Sequence, residues 1–254
     1  MKKPIVVIGI GEIGSVFARG FMRLGYPVYP VTRDMDMQQA AIDFPEPELV
    51  LVAVGEGDLD TILEQIPEPW RDRVGLIQNE LLPVDWKKHD LANPTVISVW
   101  FEKKKGQDSK VVVPSPVYGP QVTLLHDALA SLDIPATKVD NEAMMLQELV
   151  RKNYYILTSN IAGLRTGGSV SELWRDHQDF ARDVTVDIHA LQEHLVGESL
   201  DHDALIAAMV VAFEGDPDHQ CMGRSAPVRL QRALAIANAA NIDVPTLQAI
   251  SDEL

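Results

Sequence analysis

The chain has 254 residues, of which 46% are hydrophobic, so it is long enough to bury one large core or two modest ones. Its formal net charge of −15 argues against nucleic acid and anionic membrane surfaces as partners, because phosphate groups repel an acidic surface. In addition, no segment approaches the roughly 20 apolar residues that span a bilayer. The single cysteine, Cys221, excludes an internal disulfide and any multi-cysteine metal site, and it suits a reducing, cytoplasmic setting.

The opening segment, PIVVIGIGEIG at 4–14, carries the most specific pattern. An apolar run, Ile5–Ile8, leads into a Gly-x-Gly-x-x-Gly turn, and an amphipathic helix is predicted over Ser15–Leu24. The first glycine permits the tight turn, the second leaves bare backbone for a pyrophosphate, and the third lets the helix pack closely on the strand. Because the glycines lie between a strand and a helix, they predict a dinucleotide site rather than a structural turn. The residues predicted to hold the dinucleotide here are Gly9, Gly11, Glu12, Ile13 and Gly14.

The second predicted strand, Val28–Val31, ends at Thr32 and Arg33, which indicates the phosphorylated coenzyme. A carboxylate at this position would accept hydrogen bonds from the ribose hydroxyls of NAD, whereas a hydroxyl and a guanidinium suit a 2′-phosphate. The sequence therefore favours NADP(H) over NAD(H). Asp34 leaves NAD(H) open, because a shift of one residue would restore an acid at the strand end, and Arg33 could also be an ordinary loop charge.

Strands and helices alternate up to about residue 135, which predicts a parallel sheet covered on both faces. The further strands are predicted at Leu49–Val54, Val74–Gln78, Thr95–Trp100, Lys110–Pro114 and Ile134–Val139, and the further helices at Asp58–Ile66 and Tyr118–Leu132.

Beyond residue 140 only helical patterns occur. The pair Gly167-Gly168 predicts a break between two helices, and Asp201 and Asp203 are candidate N-terminal helix caps. The helices are predicted at Glu142–Leu164, Val170–Val196, Asp201–Phe213, Pro227–Ala240 and Pro245–Glu253. The predicted fold is therefore α/β: an NADP-binding, doubly wound Rossmann domain over 1–139, then an all-α domain over 140–254 for substrate binding and dimerisation.

The first helix of the second domain has polar residues on an otherwise apolar stripe. At 100° per residue, Leu149, Lys152, Ile156 and Asn160 fall within a sector of about 80°. A solvated face would not need the two apolar residues, and a dry core would not accept an unpaired lysine. The stripe favours a partly buried wall that faces a polar ligand, with Lys152 as a candidate catalytic group. The alternative is that Lys152 extends from the edge of a core to water.

Five segments, in this order and spacing, resemble the ketopantoate reductase (2-dehydropantoate 2-reductase) family over nearly the whole chain. They are GIGEIG at 9–14, the Thr32-Arg33 strand end, LIQNEL at 76–81, Lys152 followed eight residues later by Asn160, and NIDVPTLQAI at 241–250. The resemblance implies an NADPH-dependent reductase of a small anionic 2-oxo acid or related ketone. It also implies that Lys152 is catalytic, that Asn79 lines both substrate and cofactor, and that Asn160 binds substrate.

The chain departs from the family pattern at several of these positions. Val54-Gly55-Glu56 stands where the family commonly has a lysine that contacts the cofactor, so the expected cofactor contacts there are Val54 and Gly55. The other departures are Glu80 for a glycine, Ile156 for an asparagine, and Ser225 near the position of a substrate-binding glutamate. Arg224, beside Ser225, is interpreted as a replacement anchor for a carboxylate. A surface charge in a loop is the alternative for Arg224.

These departures leave three interpretations of function open: a reductase of the same type acting on a different compound, another Rossmann-plus-helical reductase of the β-hydroxyacid or pyrroline-carboxylate type, and an NADP-binding sensor whose chemistry has decayed. The retained Lys152 favours a reductase. Alanine-rich helices predict a homodimer. No metal site is expected, since His189 and His194 do not share a helix face, and Asp183 and Asp187 are interpreted as an exposed acidic stripe.

Overall fold

The computed structural model describes residues 2–254, and the chain divides into two compact units, one ending at Glu148 and one spanning Leu149–Leu254. The change of unit falls inside a long helix, α6 (Glu142–Thr166). The predicted division into a coenzyme domain and a substrate domain at residues 139–140 stays a prediction.

The first unit is built on a seven-stranded sheet. In order across the sheet, the strands are β2 (Val28–Val31), β1 (Ile5–Ile8), β3 (Leu49–Val52), β4 (Val74–Leu76), β5 (Thr95–Ile97), β8 (Ser115–Tyr118) and β9 (Ala136–Lys138). A separate two-stranded ribbon pairs β6 (Phe101–Glu102) with β7 (Lys110–Val111). The α-helices of this unit before α6 are α1 (Glu12–Arg23), α2 (Met37–Asp43), α3 (Leu59–Glu64), α4 (Pro83–Lys87) and α5 (Val122–Ala130), with 3₁₀ turns at Glu56–Asp58 and Glu68–Arg73.

Both faces of the central strands β1, β3, β4 and β5 are buried, as their continuous apolar runs predict. Ile5 and Leu51 pack in one core with Phe17 and Phe21 of α1 and with residues of α5. The alternate strand residues, Val6, Val50 and Val52, are also fully buried, and they point to the opposite face because side chains alternate along a strand. The predicted doubly wound fold is confirmed.

Two predictions for residues 110–132 are wrong in detail. The strand predicted at Lys110–Pro114 is limited to Lys110–Val111 in the ribbon, and the sheet strand is instead β8, which pairs antiparallel with β5. Pro116 lies inside β8, and proline lowers the strand signal because it has no N–H to donate. The helix predicted from Tyr118 begins only at Val122, after a left-handed Gly119 (φ 117°) that lies against Thr95.

The second unit is helical, and the residues from Leu149 onward form no strand. After α6 come α7 (Val170–Asp176), α8 (Gln178–Val196), α9 (His202–Gly215), α10 (Ala226–Ala240) and α11 (Pro245–Asp252). α6 ends at the predicted glycine pair, and Asp201 caps α9 by accepting a hydrogen bond from the Ala204 amide at 3.0 Å. The single helix predicted over 170–196 is wrong, because the chain breaks at His177, where no glycine or proline marks a boundary.

None of the helices among residues 2–254 combines the length and apolar character needed to cross a bilayer.

Candidate functional site

A cavity of about 820 Å³ opens where β1, β2 and β3 end, in the first unit. The carboxyl ends of neighbouring parallel strands meet at one edge of a sheet, which is where ligands bind in doubly wound folds. The structure brings six of the predicted coenzyme contacts to this cavity: Gly9 and Gly11 after β1, Thr32 and Arg33 after β2, and Val54 and Gly55 after β3.

The glycine turn has the geometry that a dinucleotide requires. Gly9 has a φ of 88°, and a side chain there would lie 2.8 Å from the carbonyl oxygen of Ala53. A Cβ on Gly14 would overlap the carbonyl oxygen of Gly9, so α1 packs directly on the turn. A Cβ on Gly11 would instead meet no atom within 4 Å, which leaves open the space that a pyrophosphate needs. The residues therefore fit a bound dinucleotide.

Glu12 and Ile13 have a different position from the glycines. Both lie in the first turn of α1 and neither lines the cavity. The Glu12 carboxylate is 3.6 Å from the Lys103 ammonium group. The structure therefore brings neither of these two predicted coenzyme residues to the cavity, and their contact with the coenzyme stays a prediction.

The cavity edge after β2 carries charges of both signs. The Arg33 guanidinium donates a hydrogen bond to the Asp58 carboxylate at 3.0 Å, and both side chains are exposed at the cavity. Asp34 and Asp36 also line the cavity, and the Asp36 carboxylate accepts hydrogen bonds from the amides of α2 and caps that helix. Asp58 was missed from the sequence, although its position just after β3 is the signal that could have identified it.

Asn79 follows β4 and is not among the cavity-lining residues. Its side-chain amide donates a hydrogen bond to the Glu56 carboxylate at 3.0 Å. The neighbouring Gln78 is buried and donates to the carbonyl of Val52 at 2.7 Å, which ties the ends of β4 and β3 together. Glu80 has a left-handed φ of 61°, a backbone conformation that favours glycine. Glu80 stands where the family pattern has a glycine, so the backbone conformation is the one that glycine would suit.

Lys152, the predicted catalytic residue, lies on α6 and is half-buried. Its ammonium nitrogen is 5.5 Å from the centre of the Tyr155 ring, within the range of a cation–π contact. Leu149 is buried and Ile156 is half-buried, so the stripe is partly buried as predicted. Asn160 lies eight residues further along, or about 12 Å along the helix axis.

Asn160 is buried, and both polar groups of its side chain are bonded within the second unit. Its carbonyl oxygen accepts a hydrogen bond from the Arg229 guanidinium at 2.8 Å, and its amide donates to the Cys221 carbonyl at 3.1 Å. Arg229 is itself buried on α10. The burial of Arg229 could not be predicted from the sequence, because an arginine on an amphipathic helix has the same pattern as a surface charge.

The predicted substrate residues Arg224 and Ser225 immediately precede α10. Arg224 is exposed and Ser225 is half-buried, and the Ser225 side chain does not cap the helix. Gly223 brings this loop close to Asn160, since a Cβ at that position would lie 4.0 Å from the Asn160 carbonyl oxygen. The structure thus places three of the predicted substrate residues in one region of the second unit, and their substrate role stays a prediction.

Neither models of known protein families nor curated proteins match this sequence. Solved structures do match it over nearly the whole chain. A 2-dehydropantoate 2-reductase from Methylococcus capsulatus has a TM-score of 0.69 at 15% identity, covering 97% of this chain and 94% of that one. A dimeric ketopantoate reductase from Staphylococcus aureus has a TM-score of 0.62 at 14% identity, with 97% of both chains covered. D-mandelate dehydrogenase, solved with NADH and anilino(oxo)acetate, has a TM-score of 0.64 at 13% identity, covering 98% of this chain and 96% of that one.

At sequence identities this low, structural similarity shows that the fold is shared. The resemblance seen in the sequence is therefore confirmed at that level: the chain folds as the ketopantoate reductases do, with a Rossmann-type unit followed by a helical one.

Proposed function

We propose that this chain is an NADPH-dependent reductase that acts on a small 2-oxo acid or a related ketone. The observation that carries the proposal is the cavity at the ends of β1, β2 and β3, where the glycine turn leaves bare backbone at Gly11 and the next strand supplies Arg33. The names of the similar structures, which are reductases or dehydrogenases, support the same class of reaction.

In this proposal the first unit holds the coenzyme, which supplies hydride when bound. The backbone amides at Gly11 and the start of α1 face the pyrophosphate, because a helix N-terminus carries partial positive charge. Thr32 and Arg33 hold the 2′-phosphate, and the backbone at Val54 and Gly55 forms the facing wall. A neighbour of the same fold was solved with NADH, so the fold by itself does not select the phosphorylated coenzyme. The proposed preference for NADP(H) rests on Thr32 and Arg33 alone.

Lys152 is the proposed catalytic residue. Reduction of a ketone builds negative charge on its oxygen, and an ammonium group within hydrogen-bond reach both stabilises that charge and donates the proton. A half-buried lysine suits this role, because partial removal of water strengthens the interaction between the ammonium group and the oxyanion.

The remaining predicted residues have proposed roles in binding. Asn79 lines the nicotinamide side, and Arg224 with Ser225 anchors the substrate carboxylate, for which a guanidinium offers two parallel hydrogen bonds. Asn160 contacts substrate in this proposal only by exchanging one of its present bonds, to Arg229 or to the Cys221 carbonyl.

The test is consumption of NADPH with a panel of 2-oxo acids, comparing the wild-type protein with Lys152→Ala. We expect kcat to fall by about 10²- to 10⁴-fold in the variant, the usual contribution of a positioned proton donor. Lys105→Ala, which removes an exposed lysine from the first unit, is the matched control and leaves kcat unchanged.

The contrary outcomes separate the alternatives. Turnover that is unaffected by Lys152→Ala removes this lysine from the mechanism. Tight binding of NADPH without turnover of any ketone would instead favour the coenzyme-binding sensor.

We further propose that the protein is a cytoplasmic homodimer. α10 is rich in alanine along Ala233–Ala240, which permits close approach of a second chain, and a similar structure is described as dimeric. The lone cysteine supports a reducing compartment. Light scattering at micromolar concentration is expected to give twice the chain mass of 28.0 kDa, and a mass of 28.0 kDa would refute the dimer.

A further inference from the structure

The ion pair between Arg33 and Asp58 lies on the wall of the coenzyme cavity. The guanidinium nitrogen and the carboxylate oxygen are 3.0 Å apart, and both residues line the cavity. Asp58 directly precedes α3, yet its side chain makes no capping bond to that helix, so its carboxylate is directed to Arg33 instead. The side chains are 91% and 53% exposed, so the pair can open at low cost.

This arrangement places two acceptors in competition for one donor. A 2′-phosphate carries close to two negative charges at neutral pH, and it binds arginine through the same nitrogen atoms that bind a carboxylate. To bind the phosphate, Arg33 has to leave Asp58 or share its donors with both groups. The displaced carboxylate then lies close to the phosphate, and the two like charges repel each other.

A ribose with a free 2′-hydroxyl meets neither difficulty. A neutral hydroxyl does not compete for the guanidinium, and a nearby carboxylate such as Asp34 or Asp58 can accept a hydrogen bond from it. Asp58 therefore weakens binding of the phosphorylated coenzyme selectively.

We propose that Asp58 sets the coenzyme preference by competing with the 2′-phosphate of NADPH for Arg33. The inference rests on the proposed function, since it concerns the same cavity, and it adds a residue that determines specificity. Asp58 holds the preference for NADPH below the level that Thr32 and Arg33 would otherwise produce.

The test is the dissociation constant of NADPH and of NADH, measured by calorimetry for the wild-type protein and for Asp58→Asn. The substitution keeps the shape of the side chain and removes its charge. We expect NADPH to bind about 2- to 5-fold more tightly, the upper part of the range for one exposed charge pair, and NADH affinity to change by less than about 1.5-fold. Because the groups are exposed, the gain is expected to shrink at high salt.

Two further variants test the proposed route through Arg33. Glu64→Gln makes the same charge change on an exposed residue of α3 that does not line the cavity, and it is expected to change neither affinity. In an Arg33→Gln background, Asp58→Asn is expected to have a smaller effect on NADPH, since the contested donor is gone and only the repulsion between the carboxylate and the phosphate is relieved.

The outcomes distinguish this inference from the proposed function. An unchanged ratio of the two affinities in Asp58→Asn, or an equal gain with and without Arg33, overturns the inference and leaves the coenzyme site standing. Absence of binding of both coenzymes to the wild-type protein overturns the proposed function and the inference together.

Discussion

Gly9, Gly11 and Gly14 lie in one turn but satisfy different physical requirements. Gly9 adopts a left-handed backbone that disfavours other residues. Gly14 has no room for a Cβ against the Gly9 carbonyl, whereas Gly11 has an ordinary φ of −71° and open space before it. The first and third glycines therefore serve the fold, and the second has no structural requirement in the protein alone.

Substitution by alanine is expected to separate these roles. Gly14→Ala should cost about 3 kcal/mol or more of unfolding free energy, because α1 has to move away from the turn. Gly11→Ala should cost no more than about 1 kcal/mol and yet weaken coenzyme binding at least about tenfold, because the methyl group occupies the space of the pyrophosphate. Urea unfolding and calorimetric titration of both variants check this. Wild-type affinity in Gly11→Ala would argue against a pyrophosphate at this turn.

Cys221 is a buried thiol, and burial raises its pKa to about 12. Since the unfolded-state pKa is near 9.0, the thiol is protonated in both states below pH 9, and its contribution to stability is fully present there. That contribution is lost as the pH rises from about 9 through 12, because the unfolded chain releases the proton first.

The thiol is therefore expected to be unreactive in the native protein. At pH 8, labelling by a disulfide reagent should be at least about 100-fold slower in buffer than in denaturant, where one thiol per chain reacts. Cys221→Ala serves as the blank. Rapid stoichiometric labelling in buffer would show that the region around Cys221 opens readily.

At the scale of elements, the second unit is held by contacts between α6 and the loop before α10. Gly163 of α6 lies against Cys221, since a Cβ on Gly163 would be 2.7 Å from the Cβ of Cys221. One turn earlier, Asn160 binds the same loop through the Cys221 carbonyl and binds α10 through Arg229. A single amide side chain thus joins a helix, a loop and a second helix.

Asn160→Ala is expected to lower the unfolding free energy by about 2–4 kcal/mol. The substitution leaves a buried guanidinium and a buried carbonyl without this partner, and unsatisfied buried polar groups are costly. Urea unfolding measures the loss. Asn93→Ala, at an exposed position in the loop before β5, is the control and should stay within about 0.5 kcal/mol of wild type. A loss no larger than the control's would mean that Asn160 does not hold these elements together.

At the scale of the whole molecule, the net charge of −15 extends to the coenzyme cavity, whose charged lining residues are three aspartates and one arginine. An anionic coenzyme meets an overall repulsive field, so its binding depends on near groups such as Arg33 and the start of α1. The same excess of acid also opposes the compact state through self-repulsion.

Screening is therefore expected to stabilise the protein. Raising sodium chloride from about 20 to about 300 mM shortens the Debye length from about 20 Å to about 6 Å, and the unfolding free energy should rise by about 1 kcal/mol. Urea is the appropriate denaturant, because guanidinium would itself screen charge. A fall in stability over this range would mean that attractive ion pairs outweigh the net repulsion.

Local patterns predicted much of this fold because their causes lie within a few residues. The strand, glycine turn and helix at 5–23, the glycine pair after α6 and the Asp201 cap each depend on the conformational preferences of neighbouring residues. The second strand end and its charges were identified for the same reason. The hydrogen bond from Arg33 to Asp58 was not predicted, since those residues are 25 positions apart in the sequence.

Burial of charge was decided by the tertiary structure. Asp187, predicted to lie on an exposed stripe, is 3% exposed, and its carboxylate accepts a hydrogen bond from the Leu247 amide at the start of α11. Burial raises its pKa, although the amide hydrogen bonds partly oppose this. The helix that needs this cap is 60 residues away, so spacing on α8 alone carried no sign of it.

The sequence by itself determined the parallel strands from β1 to β5 and the shape of the glycine turn, because steric limits on φ and runs of apolar residues act over short distances. The tertiary structure decided the antiparallel place of β8, the break at His177, the burial of Arg229 and the pairing of Arg33 with Asp58. Each of these depends on which distant segment fills the adjacent space, and that is settled only when the whole unit packs.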